Sequence, residues 1–340
     1  MSELPAWWLF AGAALACALL AAPLRRWLLR RHMVDYPEAR RSHSAPTPRG
    51  GGLACVAALA LAWLIWPGAW SAWWQLMPAV LFMAAAGWIE DRHQLPLLWR
   101  FLAQVATAAA LLAAVGGLAT VAVFGHAIEA WWLWTALAGV AIVWLVNLYN
   151  FMDGSDGMAA GQGLWAGLIM AWLFASADQP QSAAFALAVA GAWGGFLVWN
   201  RPPARLFMGD VGALTLGATV AGCALAGAAS GAISAWVSFM VSAVFVVDAT
   251  ATLLARVRHG EQWYTAHRQH AYQRLLDMGW GHGGVVGLYM LINVFVVLPV
   301  IAAALKWPHL DTMLAIGLAA LLAVGWWVVQ SAATEKNDKV

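Results

Sequence analysis

Asn147-Leu-Tyr-Asn150-Phe-Met-Asp153-Gly-Ser-Asp156-Gly157 sets two amides, two carboxylates and two glycines into eleven residues of an otherwise apolar chain. Charge at the edge of a bilayer is costly, so a membrane-edge pair of aspartates reads as a functional site. The glycines let the backbone turn sharply and come close to a phosphate or a metal. The competing reading is a helix-ending turn in which an aspartate caps the next helix. Convergence of other polar clusters on this stretch decides between the two.

The surrounding composition defines the class. The chain of 340 residues is 63% hydrophobic and 10% charged, with a mean hydropathy of +0.71, whereas a soluble domain carries about 25% charge. An all-α, polytopic membrane protein follows. No polar stretch exceeds about 30 residues, so residues 1–340 are expected to form a single membrane domain. Cys17, Cys55 and Cys223 lie in or beside apolar runs, with no paired spacing and no nearby histidine; they read as small buried hydrophobes, neither a disulfide frame nor a zinc site. The first apolar segment has no basic region before it and ends in Arg25-Arg26, as a retained helix would. Many of the 24 tryptophans flank apolar runs, as interfacial anchors do.

Apolar runs fall near 6–24, 51–66, 76–90, 99–116, 131–149, 158–175, 182–199, 211–229, 232–254, 285–304 and 310–330. Eleven spans are expected, which puts the termini on opposite faces. Of the 18 lysines and arginines, 17 fall on one face and only Lys306 on the other. The positive-inside rule makes that face cytoplasmic, with the amino terminus periplasmic and the carboxyl terminus cytoplasmic. The polar motifs share the cytoplasmic face, in loops 25–50, 90–99, 150–157, 200–210 and 255–284. A transporter would place them at the midplane on broken helices. No internal repeat is present; Gly157/Gly161 and Gly163/Gly167 have the small-xxx-small spacing of close helix packing.

Each motif has its own chemistry. In the first loop, Arg40, Arg41, His43 and Arg49 beside Gly50-Gly-Gly52 could present cations and backbone N–H groups to phosphate, or simply set topology against anionic lipid. Glu90 and Asp91 are adjacent carboxylates, suited to a general base or a metal-bridged acid. Asp210 lies between Gly209 and Gly212 at a helix start. Asp210 together with Asn150 and either Asp153 or Asp156 makes an all-oxygen set, which points to Mg²⁺ or Mn²⁺. His267 and His270 can share one helix face, and Arg268 can grip a diphosphate. Asp248, near the cytoplasmic end of its run, is expected to pair with an arginine or snorkel. Together the motifs suggest a Mg²⁺-dependent transfer between a nucleotide-activated group and a membrane-bound acceptor.

The ordered segments Pro46-Thr-Pro-Arg-Gly-Gly-Gly52, Gly87-Trp-Ile-Glu-Asp-Arg92, Asn147 to Gly157, Phe207-Met-Gly-Asp-Val-Gly212 and His267-Arg-Gln-His270 resemble the polyprenyl-phosphate N-acetylhexosamine-1-phosphate transferases. The runs Arg41-Ser-His-Ser-Ala-Pro-Thr-Pro-Arg-Gly-Gly-Gly52 and His267-Arg-Gln-His-Ala-Tyr-Gln-Arg-Leu275 are most similar to the branch that initiates O-antigen synthesis. The resemblance implies a phosphoglycosyltransferase of the bacterial inner membrane. It would move a HexNAc-1-phosphate from a UDP-N-acetylhexosamine to undecaprenyl phosphate, releasing UMP. It also implies Asn150 and Asp210 as metal ligands, Asp153 and Asp156 at the nucleotide end, and His267, Arg268 and His270 at the diphosphate and sugar. Arg41, His43 and Arg49 match the family's amino-terminal basic motif, for which a phosphate role is the expectation here. The family usually has Asp-Asp where this chain has Glu90-Asp91, so the base is placed on the pair. Membrane lipid and a second copy of the chain are further candidate partners, and nucleic acid is not expected. A lipid-linked glycan flippase is the alternative function.

Overall fold

A computed structural model describes residues 7–36, 46–65, 73, 75–262 and 267–337. Every one of the eleven apolar runs corresponds to helix. Eight follow in order: α1 (Trp7–Arg30), α2 (Gly52–Ile65), α3 (Met77–His93), α4 (Leu97–Val115), α5 (Trp131–Phe151), α6 (Met158–Ser176), α7 (Pro180–Asn200) and α8 (Gly209–Ala229). The ninth run is broken into α9 (Ala235–Val241) and α10 (Ala243–Arg258), which meet at an angle of 81°. A short α11 (Ala271–Asp277) precedes α12 (His282–Ile292), which passes through a π-helical turn at Asn293–Val297 into α13 (Leu298–Lys306). The last helix is α14 (Asp311–Asn337).

The chain is an all-α polytopic membrane protein. Among the described residues, eight helices are long and apolar enough to cross a membrane, and the bent α9–α10 pair makes a ninth if taken as one span. That is fewer than eleven. α2 has 14 residues and α3 has 17; at 1.5 Å per residue, 17 residues reach about 26 Å of a hydrocarbon core roughly 30 Å thick. Both helices border the polar site, α2 at its first residue and α3 at its last turn.

Helices α6, α7 and α8 form the buried centre, while α1, α4, α5, α12–α13 and α14 keep most of their surface outward. The glycine spacing of α6 explains part of this. Gly163 lies against the Trp193 ring, and a Cβ on Gly167 would come within 2.5 Å of the Ala190 nitrogen on α7. The cysteines are buried as expected, with the Cys17 and Cys55 sulfurs 3.8 Å apart across α1 and α2. Tryptophans divide: Trp7, Trp99, Trp131 and Trp132 stand exposed near helix starts, whereas Trp73 and Trp193 are core.

Two small sheets interrupt the helices. β1 (Val34–Asp35) pairs antiparallel with β2 (Thr47–Pro48), and β3 (Thr120–Val123) with β4 (His126–Glu129). The second is a hairpin turned by Phe124 and Gly125, with φ of 50° and 78°, as a two-residue hairpin turn requires. Strands of four residues carry too little alternation to register beside membrane helices.

Candidate active site

Residues 48–52 are zipped to residues 207–208 by backbone bonds. Phe207 N–H donates to Pro48 O at 2.9 Å, Gly51 N–H to Phe207 O at 2.9 Å, and Gly52 N–H to Met208 O at 2.8 Å. Gly52 then packs directly on Gly212, where a Cβ on either would meet the other's backbone. This contact brings the basic first loop onto the start of α8. Arg49 therefore reaches Asp210 Oδ1 at 2.8 Å through Nη2, and Asp91 Oδ1 at 2.8 Å through Nε. Burial works against the Arg49 charge, yet Asp210, Asp91 and Asp153 outweigh it and hold its pKa above the ordinary arginine value.

Asp91 is fully enclosed and acts as a clamp. Its Oδ1 accepts the N–H of Asp210 and its Oδ2 the N–H of Val211, both at 2.9 Å. The first turn of α8 is thus capped by a carboxylate from α3, which suits the positive end of the helix dipole. Gly209, at φ +74°, has no side chain because a Cβ there would fall 2.6 Å from Asp91 Oδ2. Glu90 points elsewhere. It accepts the Leu95 N–H at 2.8 Å and lies 3.5 Å from Arg100 Nη1 on α4.

The quoted stretch ends α5 and starts α6. Asn150 is in the last turn of α5, and its side chain makes no hydrogen bond among the described residues. Gly157 N–H donates to Asn200 Oδ1 at 3.0 Å, and Asn200 Nδ2 donates to Leu206 O at 3.1 Å, so one amide fastens two loops together. Asp156 Oδ2 accepts the Ala204 N–H at 2.9 Å. Asp153 opens to the cavity; burial, followed by Asp210, Asp91 and Asp156 against the pull of Arg49, raises its pKa well above the usual carboxylate range.

These groups share one cavity of about 340 Å³. Asn150, Asp153, Asp156, Asp210, Arg49 and Arg268 all line it. Glu90 and Asp91 are not in its wall, and neither are His267 and His270. The two histidines do not share a helix face, because α11 begins only at Ala271 and His270 stands at its N-cap. His270 is buried, its ring 4.9 Å from that of His267. Burial, with His270 and Arg256 adding to it, lowers the His267 pKa to about 4. Asp248 neither pairs with arginine nor snorkels: it is buried and accepts N–H groups of α11. Arg41 and His43 lie outside the described residues. Sequence reasoning left Asp35, Asn200, Phe207 and Gln273 unassigned, yet all line the cavity. Asp35, Asn200 and Phe207 are end residues of the polar runs already singled out, and Gln273 lies within the His267–Leu275 run without a role of its own.

The donor set suits a hard divalent cation. Asp210 keeps its Oδ2 without a partner among the described residues, and the Asn150 side chain is likewise uncommitted. Among the described residues, no three His, Cys, Asp or Glu side chains are grouped to hold a metal alone. A site with one or two carboxylates completed by phosphate and water is the usual magnesium arrangement.

A helical bundle that ends on carboxylates, amides and arginines around one cavity is built to handle phosphorylated material at a membrane. The glycosyl transferase family 4 model matches residues 73–228. The chain is 34% identical over 311 residues to the phospho-N-acetylmuramoyl-pentapeptide-transferase of Synechococcus sp. (strain JA-3-3Ab), covering 82% of this chain and 85% of that one. It is 30% identical over 324 residues to the decaprenyl-phosphate N-acetylglucosaminephosphotransferase of Mycobacterium tuberculosis (strain CDC 1551 / Oshkosh), covering 81% and 76%. A phospho-N-acetylmuramoyl-pentapeptide-transferase of Chlamydia pneumoniae is 30% identical over 301 residues, covering 75% and 82%. The chain belongs to glycosyl transferase family 4, the polyprenyl-phosphate hexosamine-1-phosphate transferases. It is a sugar-phosphate transferase and a multi-pass bacterial membrane protein.

Proposed function

We propose that the protein transfers a HexNAc-1-phosphate from a UDP-N-acetylhexosamine to undecaprenyl phosphate, giving undecaprenyl-diphosphate-sugar and UMP. The observation that carries this reading is the meeting of Asn150, Asp153, Asp156 and Asp210 with Arg49 and Arg268 around a single cavity. The relatives act on a phospho-muramoyl-pentapeptide or on decaprenyl phosphate, by their names. The basic-residue partition supports eleven spans with the cavity at the cytoplasmic face of the inner membrane. The first-loop and His267-Arg-Gln-His270 motifs support the first membrane step of a surface glycan such as O-antigen.

In this reading Asn150 and Asp210 would hold Mg²⁺, or Mn²⁺. The ion supplies charge neutralisation on the diphosphate. Arg49 and Arg268 both line the cavity, where guanidinium forks match phosphate oxygens. Asp156, held by the Ala204 N–H, stands at the nucleotide end. An oxygen of the lipid phosphate attacks the sugar-bearing phosphorus, and the bond to UMP breaks. The lipid phosphate has at most one proton to lose near pH 7. Asp153 suits that proton, because it borders the cavity with a raised pKa. Asp91 acts as a positioning residue, being spent on Arg49 and the first turn of α8.

Purified protein given undecaprenyl phosphate, Mg²⁺ and a panel of UDP-N-acetylhexosamines tests the reading. UMP release and the mass of the lipid product name the sugar. No UMP from any member of the panel would refute the proposal.

A further inference from the structure

Asp248 is a buried carboxylate on α10, just past the sharp bend from α9, and outside the cavity. It gathers donors from three elements. Oδ1 accepts the Ala271 N–H at 2.8 Å and the Thr252 hydroxyl at 3.3 Å; Oδ2 accepts the Tyr272 N–H at 3.4 Å and the Tyr289 hydroxyl of α12. His270 Nδ1 lies 3.6 Å from Oδ1. The start of α11 is therefore set on a charge buried in the bundle.

What α11 carries reaches the cavity from both ends. Ahead of it, Arg268 lines the cavity and pairs with Asp277 at the far end of α11 at 2.8 Å. Within it, Gln273 lines the cavity and the Tyr272 hydroxyl donates to Phe151 O at 3.0 Å, one residue from Asn150. That hydroxyl also fills the space where Gly154 would carry a Cβ. α14 adds support through Gln330, which donates to Gln269 O at 2.6 Å and accepts from Arg274 Nε at 3.3 Å.

We propose that Asp248 is a positioning residue for the donor-binding wall: through the Ala271 and Tyr272 N–H groups it sets α11. Through Tyr272, α11 sets the Asn150–Asp153 turn against Arg268. The proposal rests on the function argued above for what the wall binds, but not for how the wall is held. A carboxylate offers acceptors to all four donors, whereas an amide of the same shape turns an NH₂ toward two of them. Loss of charge-assisted bonds of this kind loosens a short helix that cannot persist unaided.

The test uses full-length protein in detergent or nanodiscs. Asp248→Asn raises the KM for the UDP-sugar about tenfold, leaves the KM for undecaprenyl phosphate within about twofold, and speeds amide exchange at 271–277 about tenfold. Tyr272→Phe keeps the buried carboxylate and its N–H partners and cuts only the bond to Phe151; it raises the same KM about threefold. A variant whose two KM values and exchange match the native protein overturns the proposal. So does Asp248→Asn losing thermal stability and both substrates together while Tyr272→Phe is silent. If the native protein releases no UMP, the proposed reaction fails, and exchange at 271–277 still decides whether Asp248 holds the wall.

Discussion

Arg49 lies 2.8 Å from Asp210 while its other edge lies 2.8 Å from Asp91, so one guanidinium joins three segments distant in sequence. Lysine keeps the charge but offers a point donor that cannot bridge both carboxylates. Arg49→Lys is expected to lower turnover roughly 10- to 100-fold. Steady-state UMP release by the purified variant measures it, and turnover within twofold of native would dissociate Arg49 from the reaction.

The Asp210 oxygen that has no partner among the described residues leads to the sharpest loss. Asp210→Ala is expected to cost about a thousandfold in UMP release with Mg²⁺ in excess. Chelation should stop the native protein and added Mg²⁺ restore it. Near-native turnover of the alanine variant takes Asp210 out of the metal site.

Neighbouring carboxylates separate by what they touch. Asp91→Asn replaces one of the two oxygens that accept from the α8 N–H groups and Arg49 by an NH₂ and removes the charge facing Arg49; it is expected to destabilise by about 2–3 kcal/mol and to cripple turnover. Glu90→Gln still accepts from Leu95 and stands outside the cavity; its turnover is expected within roughly threefold of native, since the buried Glu90 touches Leu95 and Arg100 and, among the described residues, no group of the cavity wall. Activity lost in Glu90→Gln but kept in Asp91→Asn would place the base on Glu90.

His267 gives the pH dependence. Its pKa is lowered from 6.5 to about 4 by burial, so the unfolded chain binds its proton first as pH falls. The stabilising contribution is whole above about 6.5, is lost on the way down to about 4, and changes no further below. Melting temperatures across that window should fall less for His267→Gln than for the native protein. Equal slopes would show that His267 is not the group responsible.

Gly52→Ala drives a methyl into the backbone of Gly212. Since backbone cannot give way as a flexible side chain does, a loss of about 1–3 kcal/mol or more is expected, read as a lower melting temperature. A native-like melt would mean that α2 and α8 can part.

The helices were legible because apolar length writes itself into sequence: each of the eleven runs became helix. Their ability to span was less so, since α2 and α3 are short and the ninth run hides its break at Ser242. The membership of the cavity was readable from glycines and carboxylates placed at helix ends, as at Asn150, Asp153, Asp156 and Asp210. Direction was not. Glu90 and Asp91 are adjacent and identical in charge, but a helix turns one toward α4 and the other under α8. Asp248 was expected to meet an arginine or snorkel because two of its partners are main-chain N–H groups, which every residue possesses, and the others are hydroxyls distant from it in sequence or on its own helix.

The backbone contact of Gly52 with Gly212 has a further bearing on motion. It welds the Arg49 side of the cavity to the Asp210 side, so those two charges travel as one body. Any widening that admits a bulky sugar or lets spent nucleotide leave must then come from the rest of the lining, which includes Arg268 and Gln273. The chain thus has one fixed jaw, made where α2 crosses α8.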